Sequence, residues 1–289
     1  MGQSVDDMAI FEEACAAAEA TWSIPSPKSS GVTPASYCSS MSTGSLHSAA
    51  ATISGTRTHS QATPRLPFPR LLKLCLQNNR ISKIPKQMGQ LELLTDLDMR
   101  ENRIAEIPTS IAELTNLKKL NLANNRIRSL PPDFFASQQG QLRKHFPNLT
   151  LLNLGANLLS ELPPGITNLR CLKDLVFGGN FQFFQKHDRL ISFSLFESAN
   201  RFTDIPKEIY EYTTLCSLNF SWNQISTIDP AISQMRKLTH LCLSGNMLTS
   251  LPDELGKLKS LAYCYLASNN LATLPDSFSD LKGIHFCCS

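Results

Sequence analysis

LTDLDMRENRIAEIP, residues 94–108, has a close copy 23 residues after it, LKKLNLANNRIRSLP (117–131), and another 23 before it, LLKLCLQNNRISKIP (71–85). The three superimpose residue for residue. LTLLNLGANLLSELP (149–163), LTHLCLSGNMLTSLP (238–252) and LAYCYLASNNLATLP (261–275) continue the series. LCSLNFSWNQISTID (215–229) fits with its proline moved one place, to Pro230. Self-similarity at a fixed period of this length is the mark of a stacked repeat architecture.

The shared pattern is L-x-x-L-x-L-x-x-N-x-L-x-x-L-P-x-x-[IFLM]-x-x-L. Units begin at Leu71, Leu94, Leu117, Leu149, Leu172, Leu215, Leu238 and Leu261, and an incomplete one begins at Ile284. Successive starts lie 23, 23, 32, 23, 43, 23, 23 and 23 residues apart, so two units carry extra sequence, within 132–148 and at 181–200. Excising 181–200 from LVFGGNFQFFQKHDRLISFSLFESANRFTDIP (175–206) restores an unbroken unit. That segment reads either as a genuine excursion or as a splicing or gene-model artefact.

Each part of the unit has a physical role. The L-x-L core alternates inward and outward, as a short strand must. The asparagine stands where the chain leaves the strand, and its amide can pair with backbone groups that the turn would otherwise bury unpaired. Asn79, Asn102, Asn125, Asn157, Asn180, Asn223, Asn246 and Asn269 are the expected rungs of such a ladder, with Asn200 as the alternative to Asn180. The proline fixes φ and gives up a donor, and an apolar x-x-[IFLM]-x-x-L stripe follows it. No unit buries its apolar side alone, so neighbours must stack into a solenoid.

These units resemble the 23-residue leucine-rich repeats of intracellular proteins of the Ras-suppressor type, over residues 71–289. The resemblance implies an α/β leucine-rich repeat solenoid with a parallel sheet on a concave face and short helices or turns on the convex one. It also implies a protein partner held on the concave face: a small GTPase, a phosphatase subunit, or a ubiquitin-ligase component or target. The expected role is a non-catalytic adaptor or scaffold in signalling, or a substrate-recognition subunit. The alternative is the targeting arm of a longer enzyme.

The outward strand positions name the candidate partner-binding residues. They are charged in the first three units (Asp96, Asp98, Arg100, Lys119), apolar in the next two (Leu151, Val176) and aromatic in the last three (Trp222, His240, Tyr263, Tyr265). Aromatic residues concentrate at the energetic centres of interfaces. Strands stack about 4.8 Å apart, which places Tyr263 beside His240 and Tyr265 beside Cys242.

Other chemistry is weakly represented. His240 and Cys242 share a strand face, but two ligands do not make a metal site, and no metal or cofactor is expected. His285, Cys287 and Cys288 would open a metal module only with further ligands. Gly256-Lys257 lacks the glycine-rich approach and the Ser/Thr of a phosphate loop, and no nucleophile set stands out. Lys and Arg total 27 against 24 Asp and Glu, which argues against a nucleic-acid groove. No apolar run reaches the roughly 18 residues of a membrane span. The nine cysteines are odd in number and scattered, which suits free thiols in a reducing, cytoplasmic setting.

Residues 1–70 differ from the rest. Ser, Thr, Pro, Ala and Gly dominate Ser23–Gln61, a composition that cannot bury enough apolar surface to order itself. A disordered tail is expected there, with a short helix near 5–20. At the other end GIHFCCS carries no polar cap of the kind solenoids need, so the chain reads as a C-terminal truncation.

Overall fold

The structure is a computed structural model, and it describes residues 70–135, 145–179, 200–281 and 284–287. The expected N-terminal tail and helix lie outside these residues. Nine three-residue strands, β1 (Lys73–Cys75), β2 (Asp96–Asp98), β3 (Lys119–Asn121), β4 (Leu151–Asn153), β5 (Asp174–Val176), β6 (Ser217–Asn219), β7 (His240–Cys242), β8 (Tyr263–Tyr265) and β9 (His285–Cys287), form one parallel sheet in chain order. The register follows the period: Leu74, Leu97, Leu120, Leu152, Leu175, Leu218, Leu241 and Cys264 align as direct neighbours. Every one of these is buried.

The first, fourth, sixth and eleventh positions of each unit supply the core. Leu94, Met99, Ile104, Leu117, Leu122 and Ile127 are fully buried, each worth about 1.5–3 kcal/mol relative to exposure. The convex connections are short 3-10 turns, among them Lys86–Gln90, Thr109–Glu113, Lys207–Glu211 and Asp253–Lys257. Pro85, Pro108 and Pro252 each stand in extended conformation just before such a turn, and Pro206 precedes its own. Where the proline is displaced to Pro230, Asp229 takes the capping place and its carboxylate accepts from Ala231 N at 2.8 Å. The local sequence thus compensates for its own irregularity.

The asparagines join each unit to the one before it. Asn157 Oδ1 accepts from Ile127 N at 3.0 Å, while its Nδ2 donates to Leu122 O and to Leu154 O, both at 3.0 Å. Asn102, Asn125, Asn223, Asn246 and Asn269 make the same bridge. Among the described residues, Asn79 has no earlier unit to bridge to and donates to Leu76 O and Gln77 O within its own.

Asn180 lies outside the described residues, and the rung at that level is Asn200. Its Nδ2 donates to Leu154 O at 2.9 Å and Phe177 O at 2.7 Å, and its Oδ1 accepts from Leu159 N at 2.8 Å. The inserted residues are therefore 180–199 rather than 181–200. Contiguity is the physical reason: Asn200 precedes Arg201, whose N donates to Leu159 O at 2.6 Å, so the rung and the loop after it stay in one piece. Gly179 N still donates to Ser221 O at 3.0 Å, so both flanks of the insertion hold regular repeat positions.

The first insertion is absorbed differently. Phe134 and Phe146 occupy the two apolar stripe positions of their unit, nine residues further apart than usual. Their rings pack edge-on with centroids 5.2 Å apart, and Phe135 joins Phe134 at the same distance. The core closes over the flanks of the extra sequence.

Two outcomes check this account. Asn157→Ala leaves the buried Ile127 N–H unpaired and takes one of two donors from the Leu122 and Leu154 carbonyls, and should cost about 2–3 kcal/mol in urea denaturation, whereas Asn79→Ala should cost under about 1. Deletion of 180–199 joins two regular repeat positions, so the melting temperature should stay level or rise; loss of the cooperative transition would contradict the rung assignment.

Candidate protein-binding face

The face opposite the 3-10 turns is built from the third, fifth and seventh positions of each unit. Its first third is charged, and the charges answer one another. Lys119 Nζ lies 3.9 Å from Asp96 Oδ1, and Arg100 Nε lies 3.7 Å from Asp98 Oδ2. Thr95 Oγ1 donates to the second Asp96 oxygen at 2.7 Å. Exposed pairs of this kind contribute about 0–1 kcal/mol. Burial raises the Asp98 carboxyl above its usual range, opposed by the Arg100 N–H and guanidinium and by a hydrogen bond from Asn121.

The middle is quieter than its sequence implies. Leu151 is half-buried, but Val176 is 7% exposed and so offers a partner little surface. Ser217, Asn219 and Cys242 on β6 and β7, and Ser221 and Ser244 just after them, are buried as well. Reading outward positions as solvent-facing fails here, because small side chains on closely spaced strands leave little of each other uncovered.

The last third carries the aromatic cluster, and the structure brings most of it together. The His240 and Tyr263 rings stack with centroids 4.7 Å apart and planes 12° from parallel. Tyr263 and Tyr265 are 7° from parallel at 6.5 Å. All three are half-buried. His240 Nδ1 is 2.8 Å from Thr239 Oγ1. Burial holds the imidazole below its ordinary 6.5, partly opposed by the Asp174 carboxylate. Asp174 is itself raised by burial, against the pull of His240, Lys173 and Lys119.

Trp222 lies at the eighth position of its unit. This position adopts positive φ along the solenoid: Asn78 63°, Glu101 57°, Asn124 54°, Ala156 49°, Trp222 58°, Gly245 69° and Ser268 55°. A left-handed conformation costs an L residue about 1–2 kcal/mol and is rarest for bulky side chains. The indole fits because its neighbours are glycines. A Cβ on Gly179 would sit 3.3 Å from Trp222 Cδ1, and one on Gly245 would sit 2.5 Å from Cδ2.

Two residues beside it were not singled out by the sequence. Asn219 Oδ1 accepts from Ser221 N at 2.8 Å, repeating the turn that Asp98, Asn121 and Asn153 make with Arg100 N, Ala123 N and Gly155 N. Asn121 also bonds Asp98 in the preceding unit. Asn219 faces Val176 in that place, which has no acceptor, and its Nδ2 is left without a partner, as is Ser221 Oγ. Each such buried donor costs about 1–3 kcal/mol. The signal was present as a valine breaking a row of Asx residues at the fifth position.

Among the described residues no cluster of three or more His, Cys, Asp or Glu side chains could hold a metal, and no helix is long and apolar enough to cross a membrane.

With this geometry, the fold is that of a leucine-rich repeat solenoid. Residues 69–127 and 237–258 match leucine-rich repeat family profiles. No curated protein matches the chain by sequence. Among solved structures it is similar to a leucine-rich repeat protein of Leptospira interrogans, with 32% identity and a TM-score of 0.61 over 75% of this chain and 48% of that one. The plant peptide hormone receptor RGFR1, solved in complex with RGF2, shares 30% identity and a TM-score of 0.52 over 75% of this chain and 35% of the receptor. The ectodomain of the Arabidopsis thaliana receptor kinase GASSHO1/SCHENGEN3, solved with CASPARIAN STRIP INTEGRITY FACTOR 2, shares the fold at 24% identity and a TM-score of 0.56 over 77% and 28% of the two chains. The chain thus spans half or less of each of these structures.

Because the fold favours neutral His240, the unfolded chain binds a proton there more readily than the folded one as pH falls through 6.5. Stability from this group is complete above that value and is lost below it. Between pH 7.5 and 5.5 the melting temperature should fall, and it should fall less in His240→Gln; equal slopes would show that the ring contributes nothing.

Proposed function

We propose that the chain is a non-catalytic protein-binding module that holds a polypeptide partner on its concave face, as an adaptor, scaffold or substrate-recognition subunit. The observation that carries this reading is the near-parallel His240–Tyr263–Tyr265 array on the open face of the sheet. Flat aromatic surface on adjacent strands gains most when a partner covers it. The charged residues on and just after β2 and on β3 (Asp96, Asp98, Arg100 and Lys119), whose acids and bases pair internally, would tune orientation and association rate more than affinity. Leu151 and Trp222 would lie between these two zones. That a similar fold, at 30% identity, belongs to a plant peptide hormone receptor solved in complex with RGF2 supports a polypeptide partner.

The repeat pattern supports a cytoplasmic protein of the Ras-suppressor type, and with it small GTPases, phosphatase subunits or ubiquitin-ligase components or targets as partner classes. Within that type, FPNLTLLNLGANLLSELPPGI (146–166) and LKDLVFGGN (172–180) also resemble leucine-rich repeat-containing protein 58.

The test is quantitative co-purification from cells, comparing the wild type with the Tyr263→Ala/Tyr265→Ala double variant. The main partner should be recovered at least tenfold less with the variant, at an unchanged melting temperature. Equal recovery would remove the aromatic array from the binding face.

A further inference from the structure

The tenth position of the unit follows the rung asparagine. It is Arg80, Arg103 and Arg126 in the first three units, then Leu158, Arg201, Gln224, Met247 and Asn270. The backbone holds the first three in line. Arg103 N donates to Ile81 O and Arg126 N to Ile104 O, both at 2.8 Å, and Lys83 bridges to Glu106 as parallel strands do. Successive arginines therefore stand about one strand spacing apart, roughly 5 Å, and all three are exposed. Elsewhere acids answer such cations, as Asp98 does Arg100, Asp96 Lys119, Glu254 Lys257 and Asp280 Lys259. Among the described residues no acid pairs with Arg80, Arg103, Arg126 or the nearby Arg128, although Glu101 and Glu106 are close in sequence. Like charges in register oppose one another, and Gln224 and Asn270 show that the solenoid accepts a neutral side chain at this place.

We infer that this arginine stripe docks the acidic N-terminal segment of the same chain, Asp6–Glu19. The charges are complementary. Asp6, Asp7, Glu12, Glu13 and Glu19 occur there, and no Lys or Arg precedes Lys28. The tether ends at the right place, since the chain reaches the solenoid at Arg70 and the stripe begins with Arg80 in the first unit. Its length is also sufficient. A coil of about fifty residues, the separation of Glu19 from Arg70, spans roughly 35–42 Å, whereas Arg80 and Arg126 are two strand spacings apart, about 10 Å. Exposed ion pairs are weak singly. A segment tethered within reach meets the stripe at an effective concentration on the order of millimolar, so several weak pairs together hold it. The contact is solvent-exposed and therefore screened by salt. Because the stripe runs along the loops rather than the sheet, the docked segment leaves the face of His240, Tyr263 and Tyr265 open.

The experiment uses the full chain with photoreactive p-benzoylphenylalanine in place of Phe11, irradiated at low salt, the crosslinks being mapped by mass spectrometry. Mixing isotope-labelled with unlabelled chains tells contacts within one molecule from contacts between two. Crosslinks should form within one chain and fall on the loops that carry Arg80, Arg103 and Arg126. Their yield should drop at least tenfold in molar salt and in Arg80→Gln/Arg103→Gln/Arg126→Gln, which should melt at the wild-type temperature or above it. Arg80→Lys/Arg103→Lys/Arg126→Lys keeps the charge and should keep most of the yield. Crosslinks centred on the groove of Arg236, Lys257 and Lys259 or on Tyr263 would overturn the inference, as would crosslinks mainly between chains or none at all. So would a yield unchanged in the glutamine variant, an equal loss in the lysine variant, or a glutamine variant that melts several degrees lower.

Discussion

A unit of 23 residues with a three-residue strand cannot close its own turn, and the asparagine that closes it does so by borrowing from its neighbour. From Asn102 onward each rung in the structure donates to a carbonyl of the preceding unit and accepts an N–H from that unit's loop. The leucines drive stacking without specifying register, since apolar burial is non-directional. The asparagine amide, with its donors and its acceptor set by geometry, turns stacking into a fixed parallel register. Strand order, the shared core and the open face all follow from that constraint.

The same constraint explains where extra sequence is tolerated. Nine residues fit within 132–148 because Phe134 and Phe146 still reach the core from either side of the excess. Twenty residues fit before Asn200 because Gly179 and Asn200 keep their backbone and side-chain bonds to adjacent units. Insertions that leave the rung and the apolar positions in place cost little, as loop-closure entropy rises slowly with length.

Most of the fold was legible in the repeat, because leucine, asparagine and proline each had one physical reason to recur at one spacing. The array of His240, Tyr263 and Tyr265 was legible too, since strand register follows the period. What stayed hidden was whatever depends on neighbouring units at once. The burial of Val176, Ser217 and Cys242 comes from how small residues pack side by side, and single positions do not state it. The choice between Asn180 and Asn200 was ambiguous in sequence because either asparagine completes the unit. The left-handed eighth position escaped notice because Asn, Glu, Ala, Trp, Gly and Ser all occupy it, so no residue type marks the backbone shape. The unpaired Asn219 amide required knowing that Val176 lies across from it.

Native-state hydrogen exchange on the intact chain tests the ladder most directly. The amides of Ile104, Ile127, Leu159, Phe202 and Ile225, each donated to an asparagine of the following unit, should exchange only through global opening and share one protection free energy. Exchange of these loop amides at rates typical of exposed turns, with the strands still protected, would show that the leucines hold the solenoid without the asparagines.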